Sequence, residues 1–204
     1  DGSILGARGA IDISDPNSQD AIGKVNLRST VTGYYLRKFL DTNINLSAQT
    51  ITSTYHYFPV IRLADIYLLY AEAMNEAYGP NDAADLGWTA LEALNKVRTR
   101  AGITVPYTTT SQTEMTKKIR NERRVELAFE DQRYLDWRRG KTAEKDLTQP
   151  LMGFRIERQD NGVVSTHEFV VDGQRKFNTK MYYSPIPYSE MQLNTNLVQN
   201  PGWR

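Results

Sequence analysis

The sequence predicts a mainly α-helical fold: a helical hairpin with long loops around it and one small β-hairpin. Apolar residues recur at helical spacing through VIRLADIYLLYAEAMNEAYGP (residues 60–80) and again from about 82 to 101, which makes two consecutive amphipathic helices. A third helical rhythm runs on to Arg139, and Asn161-Gly162 between two extended runs marks a tight turn.

Taken in order, residues 1–58 are rich in Gly, Ser, Thr, Asn and Asp. Their apolar runs, such as VTGYYLRKFL, are short, which predicts loops with one or two brief strands. The first helix places Leu63, Ile66, Tyr67, Tyr70, Met74 and Ala77 on one stripe with Asp65, Glu72 and Glu76 opposite, and Gly79-Pro80 stops it. Asp82 can cap the second helix, where Leu86, Ala90, Leu94, Val97 and Ala101 share a face and Gly102 ends the run. The expected hairpin is antiparallel, with the first stripe packed on the second. Its spacing Tyr67-x2-Tyr70-Ala71-x2-Met74 and Ala90-x3-Leu94 echoes the large and small positions of a tetratricopeptide repeat. One such repeat cannot bury both of its sides, so further helices are expected to cover it, and an apolar patch is expected without them.

Residues 103–112 read as a loop into the third helix, whose second half is IRNERRVELAFEDQRYLDWRR. Six arginines and five acids fall in those 21 residues. Read as one helix, Met115, Ile119, Glu122, Val125, Glu126 and Phe129 lie within about one third of the circumference, so two glutamates share the apolar face. Beyond Gly140, QDNGVV predicts a β-hairpin from about 154 to 170 with a type I′ or related turn. The tail, with Pro185, Pro187 and Pro201, predicts extended chain and turns.

Composition narrows the function. A chain that is 40% hydrophobic and 24% charged, with 25 basic against 24 acidic residues, is globular and carries no basic excess for nucleic acid. Zero cysteines exclude disulfides, thiolate catalysis and Cys-based zinc sites, and His56 and His167 sit in no ligand-spaced motif. No apolar run reaches the roughly 20 residues that span a bilayer. The chain opens on Asp1 and not on Met, which predicts a fragment of a longer protein.

Burial and like-charge proximity could make Glu122 and Glu126 a reactive pair. Side chains at i and i+4 point the same way, however, whereas the carboxylates of a glycosidase flank the scissile bond from opposed sides. Arg120, Arg123, Arg124 and Arg133 are close in sequence, and Arg62, Arg98 and Arg100 end other helices. Structural pairing is therefore expected, with each glutamate buried and held by an arginine. No catalytic, cofactor-binding or metal residue is assigned. A binding module would show aromatic side chains on loops, since sugar rings lay apolar C–H faces on aromatic rings. Tyr55, Tyr57, Trp88 and Tyr107 are the candidates.

Five segments in order carry a resemblance: TGYYLRKFL, VIRLADIYLLYAEAMNEA, ALEALNKVRTRAGI, IRNERRVELAFEDQRYLDWRR and YSPIPYSEMQLNTNLVQNPGW. The patterns RxAxxYLxYAEAxNE and ERRxELAFExxRxxDxxR and the closing NPGW are the most specific. Together they resemble the carboxy-terminal region of the SusD/RagB family of outer-membrane nutrient-binding lipoproteins of Bacteroidetes, over residues 31 to 203. The resemblance implies a SusD-like α-α superhelix of tetratricopeptide-like repeats. It makes residues 1–58 a loop-rich segment packed on a carboxy-terminal domain at 59–204, with further repeats upstream in the parent chain. It implies no catalysis. Family members bind glycans or peptides at the cell surface, lipid-anchored through the parent's amino terminus, and deliver them to a TonB-dependent SusC-like transporter. The block Glu122, Arg123, Glu126, Glu130, Arg133 and Asp136 matches the family signature and reads as a structural ion-pair network. A helical glycoside hydrolase or lyase, and a pure scaffold or adhesin domain, remain as alternatives.

Overall fold

The computed structural model describes residues 5–6, 9–15, 17–18, 20–22, 29–41, 55 and 57–203. His56 and residues 42–54 lie outside them. The chain divides into two compact units, one of residues 1–57 with 137–204 and one of 58–136. The fold is mainly helical with a small β-hairpin.

The second unit holds α1 (Leu63–Tyr78), α2 (Ala90–Arg100), α3 (Gln112–Glu126) and the start of α4 (Gln132–Arg139). The first two form the expected antiparallel hairpin. Leu63 and Ala64 at the start of α1 line a groove with Val97 and Arg100 at the end of α2, while past the other end of α1 the Pro80 carbonyl accepts a hydrogen bond from the Leu91 N–H at 3.1 Å. The core between α1, α2 and α3 is built of Leu68, Ala71, Met74, Ala93, Leu94, Val97, Met115 and Ile119. Asn75, buried at the end of α1, ties it to the start of α3. Its amide donates to the Gln112 carbonyl (3.1 Å) and the Thr116 hydroxyl (3.0 Å), and the Gln112 amide returns a bond to the Asn75 carbonyl at 2.6 Å.

The face of α1 differs from expectation. Leu63 and Ile66 are 65% and 50% exposed, while Asp65 is 7% exposed. The inward face is Ala64, Asp65, Leu68, Ala71, Met74 and Asn75, because Arg123 on α3 takes the Asp65 carboxylate (2.7 Å) and so offsets its desolvation. Leu86 is likewise exposed and precedes α2. The cap at Asp82 is a local Asx turn instead, its carboxylate accepting from the Ala84 N–H at 2.8 Å, and left-handed φ at Ala84 and Asp85 bars a helix there.

Thr89 caps α2 in a capping box. Its hydroxyl accepts from the Glu92 N–H (3.0 Å) and the Glu92 carboxylate accepts from the Thr89 N–H (2.8 Å). The Thr89 backbone N–H first, and the Thr89 side chain second, hold the Glu92 carboxyl below its ordinary value of 4.5. A depressed carboxyl stabilises the fold above its unfolded pKa and loses that contribution as pH falls through the folded one. The protection factor of the amides in the first turn of α2, which removes the intrinsic pH dependence of exchange, is therefore expected to fall as pH drops below 4.5. Thr89→Ala should lower it at neutral pH and cost about 1 kcal/mol in urea unfolding.

The third helix also departs from the sequence reading. It ends at Glu126, and the chain turns a corner through residues 127–131 before α4. Phe129 (φ 63°) and Asp131 (φ 59°) are left-handed, which no helix accommodates. Val125 and Phe129 are consequently exposed, outside the buried face kept by Met115, Ile119, Glu122 and Arg123.

The first unit begins with two short antiparallel strands, β1 (Leu5–Gly6) and β2 (Gly9–Ala10). Its larger hairpin pairs β3 (Leu151–Arg158) with β4 (Val164–Asp172). Their turn is not the two-residue type expected. Gln159 and Val163 still hydrogen bond (2.9 Å), the Gly162 N–H donates to the Gln159 carbonyl (2.8 Å), and within the turn Gly162 alone has a positive φ. Gly33 (φ 81°) packs so closely on β3 that a Cβ there would lie 1.9 Å from the Phe154 carbonyl oxygen, beside the Phe154 N–H bond to Thr32 (2.8 Å). A small core of Ala143, Phe177 and Tyr182 gathers Trp137, Leu147 and Met181 around α5 (Ala143–Asp146). The tail carries more order than extended chain: a 3-10 turn at Thr179–Tyr182 and α6 (Tyr188–Leu193). It is pinned by the Trp203 indole N–H, which donates to the Lys180 (3.0 Å) and Tyr183 (2.9 Å) carbonyls.

Candidate functional site

The acid and arginine block resolves into three pairings that join α1, α2, α3 and the corner. Buried Arg123 donates to Asp65 (2.7 Å) and, through two nitrogens, to Asp136 (2.8 and 3.1 Å). Arg62, just before α1, reaches Glu130 (2.7 Å) and Glu126 (2.5 Å), and Arg100 at the end of α2 shares Glu126 at 2.6 Å. Arg98 holds buried Glu122 at 3.1 Å. Arg133 lies half-buried on α4. Hydrogen bonding to Glu130 raises the pKa of Arg62 against the opposing effect of burial, with Glu126 reinforcing it. Burial pulls Arg123 down, but Asp136 and Asp65 outweigh it and the net shift is upward. Both guanidiniums therefore stay charged, and Glu122, Glu126 and Glu130 each face an arginine rather than an open cleft. General acid–base work needs a carboxyl within reach of a bound substrate, and this geometry commits the acids to internal pairing.

The aromatic candidates sit in different surroundings. Tyr55 and Tyr57, in the first unit, are 88% and 79% exposed. Trp88, before α2, is 38% exposed; its ring lies 5.4 Å from that of Tyr67 with the Lys96 ammonium 4.2 Å away, and its carbonyl accepts from the Tyr70 hydroxyl (2.7 Å). Tyr107 is half-buried against the α1–α3 core. The Arg98 guanidinium stacks 3.6 Å from its ring centre and Lys118 4.2 Å, and its backbone exchanges two bonds with the Asn95 side chain (2.8 and 3.0 Å). That ring holds the loop between α2 and α3 in place. In the second unit, both rings carry a cation, Lys96 on Trp88 and Arg98 with Lys118 on Tyr107, and Trp88 is the more exposed of the two.

A groove of about 270 Å³ runs between α1 and α2, lined by Leu63, Ala64, Tyr67, Lys96, Val97 and Arg100. Sequence reasoning missed it, because it assigned Leu63 to the hairpin interior. The signal that could have found it is the pair of cations, Lys96 and Arg100, one turn apart on α2 and flanked by Ala93 and Val97.

The helical hairpin, the arginine–carboxylate lattice and the small β-hairpin make up a mainly helical scaffold. The model of the SusD family matches residues 16–203, and the chain belongs to that family. The fold is similar to that of a SusD-like protein from Bacteroides fragilis, with a TM-score of 0.68 and 30% identity over 84% of this chain and 31% of that one. It is also similar to BT4246, with a TM-score of 0.70 and 28% identity over 87% of this chain and 29% of that one. The selenomethionine form of BT4246 aligns with a TM-score of 0.68 and 29% identity, over 87% of this chain and 30% of that one. The chain thus spans about three tenths of the length of these relatives. No curated protein matches it. Among the described residues, no helix is long and apolar enough to cross a membrane.

Proposed function

We propose that this chain is the carboxy-terminal part of a non-catalytic glycan-binding lipoprotein of the outer membrane, which hands oligosaccharides to a TonB-dependent SusC-like transporter. The observation that carries this reading is the family match across residues 16–203. The pairing of Glu122, Glu126 and Glu130 with arginines supports it, since a helical hydrolase or lyase would hold carboxyls open to substrate. In this reading residues 59–204 form the SusD-like domain, residues 1–58 pack on it, and the parent's amino terminus carries the lipid anchor. Tyr55, Tyr57 and Trp88 are each placed to stack on a sugar ring, and Tyr107 supports the loop between α2 and α3.

Calorimetry of the intact parent against a glycan panel, with reducing ends assayed in parallel, tests the proposal. Binding without product release is expected, and Trp88→Ala should weaken it roughly 10-fold, the worth of one stacked ring. Accumulating reducing ends would replace the reading with a hydrolase. Failure of every glycan to bind would overturn it in favour of a scaffold or peptide-binding role.

A further inference from the structure

Two pairs ending in glycine bracket β4, and their side chains are held alike. Before the strand, the Asn161 side-chain carbonyl accepts from the Val163 N–H at 2.9 Å; after it, the Asp172 carboxylate accepts from the Gln174 N–H at 2.8 Å. Each is an Asx turn, which curls the side chain back over the peptide bond that follows it. In both turns the next residue is a glycine, Gly162 or Gly173, and all four residues are exposed. A Cβ on Gly162 would meet nothing within 4 Å, so the hairpin tip stands in open water. The consequence is chemical. A glycine nitrogen has no side chain beside it to hinder its approach, and Asn161 Cγ lies at the bond separation that closes a five-membered ring with it. The Val163 N–H polarises the carbonyl under attack and is in place to bond the charge that develops on Oδ1. Asp172 differs in its leaving group, since an amide can release ammonia and a carboxylate would have to expel an oxygen. Against the reaction at Asn161 stands one bond: the Gly162 N–H donates to the Gln159 carbonyl at 2.8 Å, and a proton so held is withheld from base.

We infer that Asn161 is a site of spontaneous modification, at which the folded protein converts an asparagine to isoaspartate at the tip of the β3–β4 hairpin whenever the Gln159–Gly162 bond opens. Hydroxide takes the Gly162 amide proton, and the nitrogen bonds to Asn161 Cγ. The bond from Cγ to the side-chain nitrogen then breaks, and that nitrogen takes a proton from water and leaves as ammonia. Water opens the resulting ring, at the main-chain carbonyl to give isoaspartate or at Cγ to give aspartate. In sum one water is consumed and one ammonia released, with no oxidant, reductant or cofactor. The product sets a carboxylate next to Asp160. As isoaspartate it also adds a methylene to the main chain between residues 161 and 162, a lengthening that the turn beyond the last ladder pair, Arg158 with Val164, has to absorb. The reaction is independent of which ligand the protein binds.

The test incubates the intact parent in mildly alkaline water enriched in heavy oxygen, folded and, in parallel, unfolded in urea. Trypsin cuts after Arg158 and Arg175, and the peptide of residues 159–175 is read by mass spectrometry with a fragmentation that tells isoaspartate from aspartate. In the folded protein, heavy oxygen is expected at residue 161 before any other asparagine of residues 57–203, mostly as isoaspartate, while Asp172 stays unlabelled. Conversion should be at least ~10-fold slower than in urea, and the Gly162 amide should exchange with solvent more slowly by the same factor, because one local opening governs both. Conversion in urea alone, an earlier reaction at another asparagine, or equal labelling of Asn161 and Asp172 would overturn the inference. So would a folded rate equal to that in urea, or slowed conversion beside an unprotected Gly162 amide.

Discussion

Arg123→Met is expected to be the most damaging single change in this chain, lowering stability by about 3–5 kcal/mol in urea unfolding, the usual cost of stranding a buried partner charge. The Arg123 side chain is 3% exposed and answers two carboxylates, Asp65 on α1 and Asp136 on α4, with three hydrogen bonds. Methionine fills the space and supplies no donor, so both acids remain desolvated without a counter-charge. The triple change Arg123→Met, Asp65→Asn, Asp136→Asn removes the stranded charges and should recover most of the loss. A single change that costs less than 1 kcal/mol would show the lattice to be wet and weak. The Arg62 and Arg123 pKa values are both raised, so the guanidiniums stay charged through neutral and mildly alkaline pH, and their contribution is lost on the alkaline side only as pH rises through the folded values.

Leu94→Ala is expected to cost about 2–5 kcal/mol, as transfer free energy plus the cavity left behind. Leu94 is fully buried in the cluster of Leu68, Ala71, Met115 and Ile119, where three helices meet and no backbone end is free to collapse inward. Leu63→Ala is the matched control. In the 204-residue chain it should fall within about 0.5 kcal/mol of wild type, as surface changes do. Equal losses at the two leucines would mean that α1 is rotated from the face described here.

Much of the fold was legible in the residues themselves. Gly79-Pro80 marked the end of α1 within a residue and Asn161-Gly162 located the hairpin, whereas the cap of α2 was placed at Asp82 although Thr89 and Glu92 lie at the spacing of a capping box. What was misread has one physical root. An acid on an apolar helix is ordinarily placed toward water, and Asp65 was so placed, which rotated the whole stripe and sent Leu63 and Ile66 inward. Only the position of Arg123, 58 residues away, decides that Asp65 is the buried side. The break after Glu126 was hidden for the same reason, since LAFED contains neither Gly nor Pro and its left-handed residues are held by contacts distant in sequence. Loop position singled out Trp88 and Tyr107 alike, but the cations that occupy the Tyr107 ring come from α2 and α3 and leave no local trace.

The corner at residues 127–131 has a kinetic side. Two non-glycine residues in left-handed backbone cost of order 1–3 kcal/mol each, so the segment has no reason to form on its own. Among the contacts that hold it are the burial of Leu127 in the helical core and the bond from Arg62 to Glu130, made across 68 residues of chain and possible only once α1 lies against α3. A contact of such sequence separation forms late, after loop closure has been compensated by the helical core. Loss of Glu130 should therefore leave the folding rate of the second unit almost untouched and speed its unfolding, so the corner acts as a latch on lifetime and takes no part in the folding nucleus.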